Sequence, residues 1–186
     1  APQFQLTPPQ LAIYGDPARF ITASCGRRFG KTYVARPILT RMAWGPGKLA
    51  GYIAPTWAMA HDLGYEPFLS DPVTGALVAK KNDSRMEIHL TSGGRIVFRS
   101  ADKPDRLRGR GYNGIVIDEA EDISDKTWTE VLRPALSDRN GRALIIGTPK
   151  PGGRLRKLWK NGGNEPDWKA FQFTTLQGGN VRSEER

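Results

Sequence analysis

A lysine and a threonine follow a glycine in a short basic segment, an order typical of loops that bind phosphate. Residues 25–32 read Cys-Gly-Arg-Arg-Phe-Gly-Lys-Thr. In such a loop, backbone N–H groups and the N-terminus of the next helix point at an anion. Lys31 would reach the β- and γ-phosphates, the Thr32 hydroxyl would ligate Mg²⁺, and Gly30 would let the backbone approach closely. The segment therefore predicts a nucleotide-binding loop.

The loop departs from the usual pattern at its start. The pattern G-x-x-x-x-G-K-[ST] has glycine where this chain has Cys25, and the glycine stands at the next position, Gly26. We predict a variant loop in which residues 25–30, including Phe29, line the phosphates. The alternative is an ordinary strand-to-helix turn with a capping threonine.

Two arginines inside the loop, Arg27 and Arg28, add positive charge where a triphosphate would lie. A guanidinium that reaches the γ-phosphate can act as an arginine finger, which raises the hydrolysis rate by about 10³- to 10⁵-fold. Both arginines are therefore candidate catalytic residues. Alternatively, both side chains lie in solvent.

A pair of carboxylates follows an apolar, β-branched segment. Residues 113–120 read Asn-Gly-Ile-Val-Ile-Asp-Glu-Ala, which is typical of a buried parallel strand whose carboxyl end reaches a site. Asp118 would hold Mg²⁺, and Glu119 would polarise the attacking water, because the two tasks need different carboxylates. The alternative is a pair of solvated acids at the start of a helix.

A third apolar segment, Ala-Leu-Ile-Ile-Gly at 143–147, is followed by Thr148 and a proline. The Thr148 hydroxyl would lie at the same edge of the sheet, where it could contact the γ-phosphate or the attacking water. An ordinary β-turn with proline explains the segment equally well.

These motifs need a scaffold in which strands and helices alternate. The predicted strands lie at about residues 19–24, 49–54, 86–90, 95–99, 114–118, 143–147 and 170–174, and the predicted helices at about 31–43, 57–63, 124–136 and 153–159. The alternation predicts an open α/β fold with a mostly parallel central sheet and helices on both faces. Residues 85–90 and 95–99, joined by Thr-Ser-Gly-Gly, predict an attached hairpin.

Length and composition narrow the class of protein. A chain of 186 residues fits one compact domain. Its single cysteine excludes an internal disulfide, its two distant histidines form no metal-ligand pattern, and no apolar run is long enough to span a bilayer. The net charge of +9 makes a polyanionic partner plausible, although charge alone leaves this open.

Taken together, the motifs resemble the N-terminal ATPase domain of a large terminase subunit, the double-stranded DNA packaging motor of tailed bacteriophages. The resemblance lies in Leu-Thr-Pro-Pro-Gln at 6–10, the loop at 24–32, Tyr-Ile-Ala-Pro-Thr at 52–56, Leu-Arg-Gly at 107–109, the acidic segment at 115–120 and Gly-Thr-Pro at 147–149. These segments span nearly the whole chain in the family's order.

The resemblance implies a P-loop NTPase fold of the ASCE type that uses ATP and Mg²⁺. It implies that Gln10 contacts adenine and that Thr148 couples hydrolysis to movement. A carboxamide can pair with adenine N6 and N7, although Gln10 is also an ordinary polar residue for a helix start. The family's ring assembly implies an arginine supplied across an interface, for which we favour Arg108 among Arg106, Arg108 and Arg110.

The resemblance also implies partners and a location. The partners are double-stranded DNA, the portal protein and the small terminase subunit, with no membrane. The location is the cytoplasm of the bacterial host, docked on the procapsid during packaging. We expect residues 1–176 to form the ATPase domain and residues 177–186 to begin a linker towards a nuclease domain, so that this chain has no nuclease activity.

Two alternatives remain open on the sequence. A helicase or translocase of another P-loop family shares Gln10, the loop and the acidic pair, but would usually need a second recombinase-like domain. A DNA-binding or assembly module that holds ATP with little turnover is a different class. The presence of Glu119 argues against this module, whereas the variant Cys25 leaves it possible.

Overall fold

A computed structural model describes residues 3–162 and 164–178 and shows one eight-stranded sheet. The strands are β1 Phe20–Cys25, β2 Leu49–Ala54, β3 Val78–Asn82, β4 Glu87–Leu90, β5 Arg95–Ser100, β6 Gly114–Ile117, β7 Arg142–Gly147 and β8 Trp168–Phe173. Their order across the sheet is β3-β4-β5-β2-β6-β7-β1-β8. Six neighbouring strands, from β5 to β8 in this order, run parallel. The predicted mostly parallel sheet is confirmed.

The other two strands form an antiparallel extension at one side of the sheet. β4 pairs with β5 as the predicted hairpin, and β3 adds a further antiparallel strand that the sequence analysis did not predict. Four of the five residues of β3 are exposed, and its sequence is Val-Ala-Lys-Lys-Asn. Because neither face of β3 is fully buried, the strand lacks the alternation that reveals strands in sequence.

The helices connect the strands on the two faces of the sheet. They are α1 Pro8–Gly15, α2 Lys31–Met42, α3 Trp57–Met59, α4 Glu66–Ser70, α5 Pro72–Gly75, α6 Arg133–Ser137 and α7 Arg154–Gly162; π-helical segments Ala60–Tyr65 and Thr127–Leu132; and 3₁₀ segments Pro104–Leu107, Ala120–Asp122 and Leu176–Gly178. The helix predicted at 57–63 continues through α4. The helix predicted at 124–136 is divided between a π-helical segment and α6. No helix was predicted at α5, and α1 begins at the helix start that was the alternative role of Gln10.

Two apolar cores lie on opposite faces of the sheet. One packs α1, α2 and the π-helical segment Ala60–Tyr65 against the sheet through residues such as Ile13, Ile38 and Tyr65. The other packs the π-helical segment Thr127–Leu132, α6 and α7 through Trp128 and Leu155. The helices therefore cover both faces, as predicted.

The last described residues pack against the phosphate loop. The 3₁₀ turn Leu176–Gly178 brings Gly178 so close to Phe29 that a Cβ on Gly178 would lie 2.7 Å from the Phe29 Cα. Residues 179–186 of the expected linker lie outside the described residues. In residues 3–162 and 164–178, no helix is long and apolar enough to cross a membrane.

Candidate active site

Three neighbouring strands bring the predicted motifs to one edge of the sheet. β6, β7 and β1 lie side by side and parallel, so their carboxyl ends meet. Asp118 follows β6, Thr148 follows β7, and the phosphate loop follows β1. Open α/β sheets place their ligand sites at this edge.

Two residues of the loop before α2 have left-handed backbone conformations. Gly30, which precedes α2, has a left-handed conformation with φ 84°, and Arg28 is also left-handed with φ 59°. Gly26 is required for packing, because a Cβ there would lie 2.4 Å from the Thr175 backbone nitrogen. The backbone amides at this helix end are placed to hold an anion.

Cys25 belongs to the core and not to the phosphate pocket. It is the last residue of β1, pairs with Phe173 of β8, and is completely buried. Burial raises the pKa of the Cys25 thiol to about 12, against the opposing effect of Lys31. The predicted contact of Cys25 with nucleotide is therefore restricted to its backbone, because its side chain fills the apolar core under the loop.

Lys31 and Thr32 each join the loop to one of the neighbouring strand ends. Lys31 Nζ donates a hydrogen bond of 2.8 Å to Thr148 Oγ1. Thr32 Oγ1 donates a hydrogen bond of 3.1 Å to Asp118 Oδ2. The structure thus brings the three predicted motifs into direct contact.

Asp118 has a second partner that the sequence analysis missed. The Tyr52 hydroxyl donates a hydrogen bond of 2.6 Å to Asp118 Oδ2, and both residues are buried. Burial and Asp118 raise the Tyr52 pKa well above its ordinary value, so this hydroxyl stays a donor. Gly64 makes room for the ring, because a Cβ there would lie 2.5 Å from Tyr52. The sequence signal was the segment Tyr-Ile-Ala-Pro-Thr at 52–56, to which no role was assigned.

Glu119 follows Asp118 in the chain but is only partly buried, whereas Asp118 is fully buried. Its backbone is left-handed, with φ 46°, and its N–H donates a 2.8 Å hydrogen bond to Asp118 Oδ1. Partial burial, and then the neighbouring Asp118, raise the pKa of Glu119, while Lys31 opposes this. A raised pKa makes Glu119 a better proton acceptor than an ordinary surface carboxylate.

The oxygens at this edge fit a hard divalent cation. In the part of the chain that the structure describes, no three His, Cys, Asp or Glu residues are grouped to hold a metal. Thr32 Oγ1 and Asp118 Oδ2 nevertheless converge at 3.1 Å. Mg²⁺ in phosphate-transfer sites typically takes only one or two protein oxygens, with phosphate and water as the other ligands. The donor set fits Mg²⁺ on this basis.

Gln10 supports the loop in this structure. Its side chain is buried, and Nε2 donates hydrogen bonds of 3.0 Å to the Phe29 carbonyl and 3.4 Å to the Gly30 carbonyl. Its Oε1 accepts a 3.0 Å bond from the Thr7 N–H. Both ends of the carboxamide therefore bond to backbone. The predicted adenine contact would require Gln10 to share or exchange these bonds.

The candidate arginine fingers all lie on the surface. Arg27 and Arg28 are exposed on the loop itself. Arg108 is exposed and forms an ion pair of 3.2 Å with Asp105. Arg106 and Arg110 open onto a separate cavity. Within the described residues, none of these last three arginines has a hydrogen bond or ion pair to the loop, so the structure does not bring them into the site.

Glu121 connects the acidic segment to the segment after Thr148, a role that the sequence analysis also missed. Its carboxylate accepts hydrogen bonds from the backbone N–H groups of Arg154 at 2.7 Å, Leu155 at 3.2 Å and Lys150 at 3.3 Å. It therefore caps the N-terminus of α7. The strand ends that carry Glu119 and Thr148 are tied together through this carboxylate.

The chain is similar to large terminase subunits of bacteriophages. A family profile described as "Terminase large subunit, T4likevirus-type, N-terminal" matches residues 23–183. The large terminase subunit of Escherichia phage T5 is 30% identical over 175 residues, which cover 89% of this chain and 40% of that protein. The chain thus spans less than half the length of this relative.

Solved structures share the fold over nearly the whole chain. The large terminase ATPase domain of Thermus phage P74-26 superposes with a TM-score of 0.83 at 25% identity, covering 98% of this chain and 86% of that one. A large terminase from a thermophilic bacteriophage, in complex with ATP-γ-S, superposes with a TM-score of 0.74 at 14% identity, covering 97% and 48%. The predicted P-loop ATPase fold is confirmed.

Proposed function

The chain belongs to the large terminase subunit family, and from this membership we propose that it is an ATP-hydrolysing motor domain that drives double-stranded viral DNA into a procapsid. The observation that carries the proposal is the convergence of Lys31, Thr32, Asp118, Glu119 and Thr148 at one edge of the sheet. A structural relative is described in complex with ATP-γ-S, which supports a nucleotide as the ligand.

In the proposed reaction, the loop amides and Lys31 hold the phosphates, and Thr32 and Asp118 hold Mg²⁺. When bound there, Mg²⁺ would neutralise charge on the phosphate oxygens. The Glu119 carboxylate orients the attacking water and accepts its proton. Lys31 would exchange its Thr148 partner for phosphate oxygen, which releases the Thr148 hydroxyl and gives the segment after β7 a means of responding to nucleotide.

The partners and assembly follow from the same proposal. The motor domain comprises residues 1–176, together with Gln177 and Gly178, which pack with Leu176 against the phosphate loop. Arg108 acts as a finger on the nucleotide of a neighbouring subunit in a ring, and the motor works with the portal protein and the small terminase subunit in the host cytoplasm. We expect no nuclease activity from this chain.

The test of the base is Glu119→Gln. This change keeps the size of the side chain and removes its ability to accept a proton. We expect ATP-γ-S affinity to be retained and Mg²⁺-dependent phosphate release to fall by at least about 10²-fold. Asp122→Asn is the matched control, because Asp122 is half exposed and pairs with Lys150. Unchanged phosphate release in Glu119→Gln would contradict the assignment.

The test of the finger mixes two inactive variants under conditions that assemble rings. Arg108→Ala subunits keep an intact loop, and Lys31→Ala subunits keep an intact Arg108. If the finger acts across an interface, mixed rings regain part of the ATPase activity. Mixtures no more active than the separate variants, in rings verified by light scattering, would show that Arg108 does not act in this way.

A further inference from the structure

A basic cavity lies beside the antiparallel extension of the sheet, at the carboxyl ends of β2 and β5, and shares no lining residue with the nucleotide site. Its volume is about 490 Å³. We call it the arginine groove, after four of the ten residues that line it: Arg85, Arg99, Arg106 and Arg110, with Glu87, Ser84, Ser100, Trp57, Met86 and Phe98. The residues come from α3, the β3–β4 turn, β4, β5 and the segment before β6.

The groove carries an uncompensated positive charge. Four arginines and one glutamate line it, which leaves three positive charges. Glu87 is shared, since its Oε1 lies 2.5 Å from Arg99 and 3.6 Å from Arg110. Among the described residues, no ion pair involves the guanidinium of Arg85 or Arg106.

Two acids on the flanking turns are already paired. Asp83 lies 3.0 Å from Lys81 and accepts a hydrogen bond from Tyr65, and Asp105 lies 3.2 Å from Arg108. Neither aspartate lines the groove. The excess charge is therefore available to an external anion.

Arg99 is held rigidly in the wall of the groove. Its guanidinium donates to Glu87, to the Arg85 carbonyl at 2.6 Å and to the Phe98 carbonyl at 2.8 Å. Although burial acts to raise the pKa of Glu87, the hydrogen bond and charge of Arg99 lower it on balance, so Glu87 stays ionised. A fixed guanidinium loses little entropy on binding an anion.

The chemistry of the lining favours a phosphodiester backbone over an acidic peptide. Guanidinium groups bind phosphate in a fork, and hydroxyls such as those of Ser84 and Ser100 donate to phosphate and sugar oxygens. Trp57, which is 55% exposed, presents an aromatic surface at the groove. An acidic peptide would in addition need apolar pockets for its other side chains, whereas this lining is mainly charged and hydroxylic.

We propose that the arginine groove binds the phosphate backbone of double-stranded DNA. The proposal rests on the motor function proposed above and adds the surface of this chain that contacts the DNA. Arg85 and Arg106 contact phosphates directly, and Arg99 provides a fixed charge behind them. The groove has no lining residue in common with the nucleotide site, so DNA and nucleotide can be bound together.

The experiment measures binding of the 186-residue chain to a fluorescent DNA duplex of about two helical turns by anisotropy. The test variant is Arg85→Ala/Arg106→Ala, chosen because both side chains are exposed and neither holds the fold together. The control is Lys126→Ala/Lys157→Ala, which removes the same charge from exposed positions on the other face. Circular dichroism verifies folding of each variant, and ATPase activity without DNA is measured in parallel.

We expect the test variant to raise Kd about tenfold. Between about 50 and 200 mM salt, the slope of the logarithm of the association constant against the logarithm of the salt concentration should become less steep by about two. The control should change neither, and its basal ATPase activity should be that of wild type. Equal Kd and slope in test variant and wild type, or no binding by wild type, would overturn the inference. Equally strong competition by poly-glutamate would show a peptide site instead.

These outcomes are distinct from failure of the motor proposal. A wild-type chain that hydrolyses ATP and binds DNA equally well with and without Arg85 and Arg106 would refute the groove alone. A chain whose ATPase activity is absent or survives Glu119→Gln would refute the proposed function, whatever its affinity for DNA.

Discussion

At the scale of single residues, the sequence pattern and the structure place Cys25 differently. Its position in the sequence belongs to the phosphate loop, but its side chain is buried in the core at the end of β1. Cysteine occupies the position of the usual glycine, and the turn begins one residue later, at Gly26, where close packing against Thr175 excludes a side chain.

This placement predicts the effect of restoring the usual glycine. Cys25→Gly should destabilise the chain by about 2 kcal/mol, since it leaves a cavity and adds backbone freedom to a strand. ATPase activity should not increase. Urea unfolding gives the stability, and phosphate release gives the activity. A variant that is as stable as wild type, or a markedly faster enzyme, would show that Cys25 is not a core residue.

A second prediction at the scale of one residue concerns the Tyr52 hydroxyl. Tyr52→Phe removes the hydroxyl that bonds Asp118. Because groups behind a metal ligand typically contribute 10- to 100-fold to affinity or activity, the Mg²⁺ concentration for half-maximal ATPase activity should rise about tenfold. The measurement is an Mg²⁺ titration of phosphate release.

A second tyrosine provides the matched control for Tyr52. Tyr65 is equally buried, and its hydroxyl donates a hydrogen bond of 2.7 Å to Asp83, which is remote from Asp118. Tyr65→Phe should leave the Mg²⁺ dependence as in wild type. The same Mg²⁺ curve in both variants would refute a positioning role for Tyr52.

At the scale of elements, Asp71 fastens a short helix to the helix that follows the loop. Its Oδ1 accepts hydrogen bonds from the N–H groups of Val73 and Thr74 at the start of α5, and its Oδ2 lies 2.8 Å from Arg36 of α2. Burial acts to raise the pKa of Asp71, but these backbone bonds and Arg36 together lower it.

The lowered pKa gives this contact a defined pH dependence. The stabilisation is present above the unfolded-state pKa of about 4 and is lost as pH falls through the lower folded-state pKa. Asp71→Ala should cost about 1 to 3 kcal/mol at neutral pH, and the difference from wild type should shrink in acid. Urea unfolding at several pH values measures it.

The control for Asp71 is Asp62→Ala. Asp62 is 71% exposed and pairs with His61, so its removal should have little effect at any pH. A difference between Asp71→Ala and wild type that persists unchanged in acid would show that the carboxylate charge is not the source of the stability.

At the scale of the whole molecule, the phosphate loop connects the termini of the described chain. Gln10 of α1 bonds the loop carbonyls from one side, and Gly178 lies against Phe29 from the other. Lys31 and Thr32 then connect the loop to β7 and β6. Binding of a nucleotide to the loop should therefore stabilise the entire fold.

This arrangement predicts a thermal shift on nucleotide binding. Mg²⁺-ATP-γ-S at about 100 times its Kd should add about 2.7 kcal/mol, which raises the Tm of a chain of this size by about 5 to 10 °C. Lys31→Ala should abolish the shift. Lys48→Ala, an exposed lysine before β2, should retain it. A shift that survives in Lys31→Ala would place the nucleotide elsewhere.

The sequence by itself determined the parts of this protein that depend on neighbouring residues in the chain. Apolar β-branched segments predicted the parallel strands, and the polar residues after them predicted which strand ends carry Lys31, Asp118, Glu119 and Thr148. Local chemistry was sufficient there, because a buried parallel strand is apolar throughout. The exposed β3 has no such pattern and was missed.

Tertiary structure alone decided how these parts meet. Tyr52 and Asp118 are 66 residues apart, and Arg99 and Glu87 meet only because β4 pairs with β5. For Gln10 the sequence offered an adenine contact or an ordinary polar position at a helix start, and its hydrogen bond to the loop is visible only in the structure. Strand order and side-chain direction depend on packing between distant segments, and no local pattern in the chain records which segments will pack together.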